Sequence, residues 1–139
     1  MKYFLDSDIC IYYLNGMYPD IVTHLIALDA ADVKIASVVA AEVYYGARKS
    51  RRKDANRRHI DEFFKSFEII PFDHDASEYY AMIRADMESR GEVIGANDYL
   101  VAATALSRGG KLVTNNMKEF MKVPGLAVEN WVRPRYEAE

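Results

Sequence analysis

The sequence predicts a three-layer α/β/α fold with a central, mainly parallel sheet of four to five strands, and three observations predict it. Short apolar runs, too brief for helices, recur at 3–5, 33–36, 69–72, 111–114 and, more weakly, 126–129. Longer segments with apolar residues at helical spacing lie between them. Turn signals punctuate the alternation, among them Asn15 with Gly16, Gly109 with Gly110 and Pro124 with Gly125. Strands alternating with helices in this way pair in parallel and carry helices on both faces.

The first run, Tyr3, Phe4 and Leu5, stops at Asp6 and Asp8, and a helix is expected over 9–14. A strand that delivers carboxylates at its C-terminal end stands where open α/β sheets place their active sites. Asp8 also suits the N-cap of that helix. Asp6 is different, because an acid at the end of a buried strand needs a partner. A second helix is expected over 19–28, opened by Pro19 with Ile21, Leu25 and Leu28 in phase. After the strand at 33–36, Ser37 is placed as the cap of a third helix that closes at Gly46. The basic segment 48–58 leads into a helix with Ile60, Phe63, Phe64 and Phe67 on one stripe. A strand at 69–72 has Pro71 at its end. Helices follow over 75–90, with Ala76, Tyr79, Tyr80, Ile83 and Met87 in phase, and over 97–108. Residues 1–132 are read as one domain and 133–139 as a loosely held tail.

A chain of 139 residues can bury about two-thirds of its unfolded surface, so it needs no disulfide or metal to fold. Half of it is hydrophobic and 28% charged, the balance of a soluble globular protein. Cys10 is the single cysteine, which excludes an intrachain disulfide and suits the cytoplasm; it is read as packing. The sequence has neither a signal-peptide core nor an apolar run of membrane-spanning length. The net charge of −3 argues against indiscriminate nucleic-acid binding, so any such contact must come from local charge.

Two acids interrupt apolar helix faces. Glu42 stands on the stripe of Val38, Ala41 and Tyr45, read as facing the core, and Asp98 shares a face with Val101, Ala102 and Ala105. The first-turn position of Asp98 also allows a purely structural role against the helix dipole. Asp6, Glu42 and Asp98 converging near strand ends require a cation between them. Oxygen-only ligands select Mg²⁺ or Mn²⁺ over zinc. His24, His59 and His74 are scattered and read as surface or helix-end residues. A carboxylate-held ion of this kind acidifies water and neutralises charge on a phosphodiester. Arg48, Lys49, Arg51 and Arg52 either hold backbone phosphates or keep an exposed segment soluble. Tyr44, Tyr45 and Tyr99 either pack or stack on splayed bases.

The strings LDSDICIY at 5–12, AEVYYG at 41–46, GAND at 95–98 and VTNNMKEF at 113–120 resemble the PIN-domain ribonucleases, and more narrowly the VapC-type toxins of toxin–antitoxin pairs. The resemblance runs nearly the whole chain. It implies a PIN fold with Asp6, Glu42 and Asp98 as the metal-binding and catalytic acids, and with Asn116, Glu119, Asp8 and Thr114 as weaker candidates. Asn116 stands where many relatives have an acid, and Asp8 where such toxins usually carry Asn. The family further implies a Mg²⁺- or Mn²⁺-dependent endoribonuclease of the cytoplasm that cleaves structured RNA, often tRNA. Its members commonly form homodimers and are silenced by a cognate VapB-type antitoxin. Two alternatives stay open at this point. The residues FLDSD at 4–8 also match the strand of haloacid-dehalogenase-type phosphatases, with Asp6 as nucleophile. The chain could also be a non-catalytic RNA- or partner-binding PIN domain.

Overall fold

A computed structural model describes residues 1–132; the tail at 133–139 lies outside the described residues. The strands are β1 (Tyr3–Leu5), β2 (Val33–Ala36), β3 (Glu68–Ile70), β4 (Lys111–Val113) and β5 (Val128–Glu129). They form one sheet in the order β3-β2-β1-β4-β5, and every pairing is parallel. Helices α1 (Ser7–Leu14) and α2 (Pro19–Ala27) link β1 to β2, α3 (Ser37–Arg48) and α4 (Lys53–Phe64) link β2 to β3, and α5 (His74–Ser89) and α6 (Ala96–Ser107) cross back to β4. A short α7 (Met117–Phe120) precedes β5. The path runs outward from β1 to β3 and then returns to the far side of β1. Right-handed crossovers therefore put α1 to α4 on one face and α5 with α6 on the other.

The core follows from the apolar runs. Phe4, Leu5, Ile35, Ala36, Ile70, Leu112 and Val113 are buried in the strands, and Ile9, Val43, Ile60, Phe64, Ile83, Met87 and Val101 reach them from the helices. Phe4 lies so close to the turn before β4 that a Cβ on Gly110 would stand 2.5 Å from its ring carbon Cε1. We expect Gly110→Ala to cost roughly 1–3 kcal/mol, the usual penalty of overpacking a core. Urea denaturation checks this, and an unchanged midpoint would mean that the Phe4 ring moves aside freely.

Several local expectations are corrected. Asp6, not Asp8, is the N-cap of α1, which begins at Ser7 rather than at residue 9. Ser37 does not cap α3: Ala36 occupies the N-cap, and the Ser37 hydroxyl accepts the Phe72 N–H at 3.3 Å, tying α3 to the segment after β3. Gly46 lies inside α3, which continues to Arg48. The helix expected from 75 starts at His74, capped by Asp73. The strand expected over 69–72 is Glu68–Ile70, so Pro71 falls just past it. The four-residue α7 is too short to show a period and has no counterpart among the expected helices.

Candidate active site

Asp6 is the first residue past β1. Its N–H donates to the Val113 carbonyl at 2.9 Å, so the β1–β4 ladder fixes its backbone. Its side chain is 6% exposed. One carboxylate oxygen accepts the Ser7 N–H at 2.9 Å and the other accepts the Thr114 hydroxyl at 2.7 Å. From β1 the chain leaves toward β2, whereas from β4 it leaves toward β5. Neighbouring strands with opposite exits mark the topological switch point, where open α/β sheets bind ligands. Asp6 and Thr114 stand at that point.

Thr114 is fully buried, and its hydroxyl oxygen accepts the Asn116 N–H at 2.9 Å while donating to Asp6. Thr114→Val keeps the shape and removes the donor. It is expected to cost roughly 1–3 kcal/mol at pH 8, the penalty for an unpaired buried group. Thermal unfolding measures this; no loss would mean that another donor replaces the hydroxyl.

Asp8 lies in the first turn of α1. One oxygen accepts the Ile9 N–H at 2.7 Å, and the other accepts the Asn115 N–H at 3.0 Å with the Thr114 hydroxyl at 3.5 Å. Asp8 thus pins the loop after β4 onto α1. Asp98 sits in the first turn of α6, with its carboxylate turned back toward Gly95. A Cβ at Gly95 would lie 3.2 Å from Asp98 Oδ2, so the glycine leaves room for the folded-back acid. Glu42 is half-buried on α3, and its Oε2 accepts the Asn97 side-chain N–H at 3.3 Å, which joins α3 to α6.

Asp6 feels the charges of Asp8 and Asp98, and Asp98 those of Glu42, Glu119 and Asp8. Burial pushes the Asp6 carboxyl up to about 7; the Asp8 charge and, more weakly, Asp98 push the same way, against the bonds from Thr114 and Ser7. Burial also raises Asp98, followed by the charges of Glu42, Glu119 and Asp8. Asp8 is raised by burial against its hydrogen bonds. The positive N-terminal ends of α1 and α6 lessen the repulsion, but Asp6 still lies far above the ordinary 3.8. Beneath them, the wholly buried Cys10 thiol is pushed well up by burial and by Asp6 and Asp8, which suits packing and not nucleophilic attack.

Among the described residues no group of three or more His, Cys, Asp or Glu side chains is placed so that it could hold a metal ion, and the acids would have to close up to do so. The acids instead lean on protein donors, as mutually repelling carboxylates do. Their chemistry nevertheless fits a hard divalent cation. The donor set is all oxygen, and the hydrogen-bonded oxygens of Asp6 and Glu42 each accept one bond and keep a lone pair for a ligand. A cation would also relieve the repulsion that raises Asp6 and Asp98.

Other expected residues fall as follows. Asn116 opens α7, and Glu119 on that helix is felt by Asp98 while lying 3.9 Å from Lys122. Arg48, Lys49, Arg51 and Arg52 are exposed at the end of α3 and in the turn to α4. Among the described residues none of these four pairs with a carboxylate, whereas Arg57, Arg84, Arg90 and Arg108 all do. Glu42 is not on a core-facing stripe. The buried stripe of α3 is Val39, Ala40, Val43 and Ala47, while Val38, Ala41, Glu42 and Tyr45 occupy the more open side. Small and aromatic residues on that side imitate a core period. Tyr99 is 1% exposed and bonded to Ile94 N–H, so it packs. Tyr44 is held between Phe64 and Arg57. His24 is exposed in the last turn of α2, as expected, and its ring also stacks on Trp131, with 3° between the planes. Sequence reasoning missed Asn97 and Asn115 as partners of Glu42 and Asp8. Their position beside Asp98 and Thr114 was the available signal.

Residues 3–126 match the PIN-domain family. The chain is 41% identical to Ribonuclease VapC2 of Rickettsia felis over 133 residues, covering 94% of this chain and 98% of that protein. It is a PIN-domain protein of the VapC ribonuclease family. Another VapC relative, the tRNA(fMet)-specific endonuclease VapC of Salmonella typhimurium, is 31% identical over 94% of this chain and 98% of its own. The solved structure of VapBC2 from Rickettsia felis bound to a promoter DNA fragment superposes with a TM-score of 0.89 at 39% identity, covering 94% and 99% of the two chains. VapC membership sets aside the phosphatase alternative. Within the VapC fold, Asp6, Glu42 and Asp98 come from three different chain segments, beside β1, on α3 and on α6.

Proposed function

We propose that this VapC ribonuclease is a divalent-cation-dependent endoribonuclease acting on structured RNA, with tRNA as its substrate class and a VapB-type antitoxin as its inhibitor. The observation that carries the reading is Asp6, a carboxylate buried at the switch point and pushed up to about 7 by burial and by neighbouring acids. Asp6, Glu42 and Asp98 would hold the Mg²⁺ or Mn²⁺, with Asp8, Thr114, Asn116 and Glu119 around them. The cation, when bound, supplies charge neutralisation at the phosphodiester and an acidified water.

The chain's own groups do the rest. Thr114 and Ser7 fix the orientation of Asp6, and Asn97 fixes that of Glu42. Arg48, Lys49, Arg51 and Arg52 offer unpaired positive charge to the RNA backbone. The name of the Salmonella relative supports tRNA, and the VapBC2 complex of the Rickettsia relative supports an antitoxin partner.

Cleavage of a tRNA pool with Mg²⁺, Mn²⁺ or chelator tests the reading: products are expected with either ion and none with chelator. Changing Arg48, Lys49, Arg51 and Arg52 to Gln should weaken binding and flatten its salt dependence, by about 0.7 in log–log slope for each phosphate no longer neutralised. An unchanged slope would remove this segment from the RNA path.

A further inference from the structure

We propose that the open side of α3 seats an unpaired nucleotide beside the phosphate to be cut, with Tyr45 as the stacking platform for its base and Lys49 as the next phosphate contact. This deepens the nuclease reading and rests on it. Glu42, Tyr45 and Lys49 occupy positions i, i+3 and i+7, with Lys49 just past the last turn, so they follow one ridge. At a rise of 1.5 Å per residue, Tyr45 lies about 4.5 Å and Lys49 about 10 Å along the axis from Glu42. Stacked bases rise about 3.4 Å per step, so the ridge spans about three nucleotides from the acid site.

Tyr45 differs from the other two candidate rings. It is 62% exposed, whereas Tyr99 is buried and Tyr44 is wedged in place. Lys49 Nζ stands 4.8 Å over the Tyr45 ring, on the face a base would take. An arriving base displaces that ammonium toward the phosphate of the same nucleotide. Arg48, Arg51 and Arg52 surround the end of the ridge with positive charge that no described carboxylate neutralises. An exposed ring bordered by free cations has the chemistry of a single-strand path, in which stacking takes the base and Lys or Arg takes the backbone. A paired base offers no free face, so the occupant is an unpaired RNA nucleotide.

The test uses the full chain with Asp6→Asn, which removes cleavage, and short single-stranded RNAs carrying 2-aminopurine at successive positions. Quenching of 2-aminopurine at one position is expected. Adding Tyr45→Ala should abolish that quenching and weaken binding about tenfold or more, while Tyr45→Phe and Tyr45→Trp retain both. A duplex of the same sequence should bind the Tyr45→Ala and Tyr45 proteins equally. The platform is refuted if Tyr45→Ala leaves quenching and affinity unchanged, or if Tyr45→Phe is as damaging as Tyr45→Ala. It is equally refuted if Tyr45→Ala changes only self-association or capture of an antitoxin, which would make the ring a protein contact. If the unmutated chain fails to cut RNA with Mg²⁺ while stacking persists, the nuclease reading fails. If it cuts RNA and Tyr45→Ala costs nothing, the platform alone fails.

Discussion

Asp6→Asn is expected to lower RNA cleavage on the order of a thousandfold and, in chelator at pH 8, to raise the melting temperature by roughly 5 °C. Both effects have one cause. Folding buries the Asp6 carboxyl among other acids and moves its pKa from 3.8 to about 7. The folded chain therefore holds the proton more tightly than the unfolded chain does. The sign follows: Asp6 weighs least on stability below pH 3.8, and stability falls as pH rises through about 7. The neutral amide escapes that loss. Its oxygen can still accept the Ser7 N–H, and its NH₂ can donate to the Thr114 oxygen, so the buried polar groups stay paired. Near pH 4 the gain should vanish. Calorimetry in chelator at both pH values checks this; a variant less stable than the parent at pH 8 would show that the Asp6 charge is already compensated within the protein.

The second large effect is expected at Glu42 and Asp98. Glu42→Gln and Asp98→Asn should each reduce cleavage about 100- to 1,000-fold, as loss of one preorganised charged group does. The fold should survive both changes. An amide oxygen at 42 can still accept the Asn97 N–H, and Asn at 98 keeps the size of the acid beside Gly95. Combining either change with Asp6→Asn should add little, because groups that act as one unit fail together. Single-turnover cleavage of tRNA by the folded variants measures this. Full activity in either variant would remove that residue from the site, and strictly multiplicative losses would mean that the acids act independently.

How much was legible in the sequence depends on how far apart the deciding residues stand. The strands at 33–36 and 111–114 were readable because apolar β-formers sat between turn signals, and β2 has those bounds. Asp6 was readable for the same reason, as an acid ending a buried run. Glu42 was selected by a wrong argument: Val38, Ala41 and Tyr45 imitate a core stripe, while the buried face is set by Val39, Ala40 and Val43. Its placement beside Asn97 is a tertiary pairing across 55 residues, which no local period encodes. The bonds from Thr114 to Asp6 and from Asn115 N–H to Asp8 likewise need the parallel pairing of β1 with β4. The stacking of His24 on Trp131 joins the second helix to the end of the sheet, and isolated aromatic residues gave no hint of it. The ends of α3 differ from expectation because Ser37, a good cap by type, bonds the Phe72 N–H instead, and the helix continues through Gly46 to Arg48.

The central claim is that Asp6, Glu42 and Asp98 share one divalent cation. Titration of Mn²⁺ followed by electron paramagnetic resonance at pH 8 tests it without any substrate. The unmutated chain should withdraw Mn²⁺ from the free-ion signal saturably, with Mg²⁺ competing, and Asp6→Asn should bind at least about tenfold more weakly. Equal binding by both proteins, or none by the unmutated chain at millimolar Mn²⁺, would contradict it.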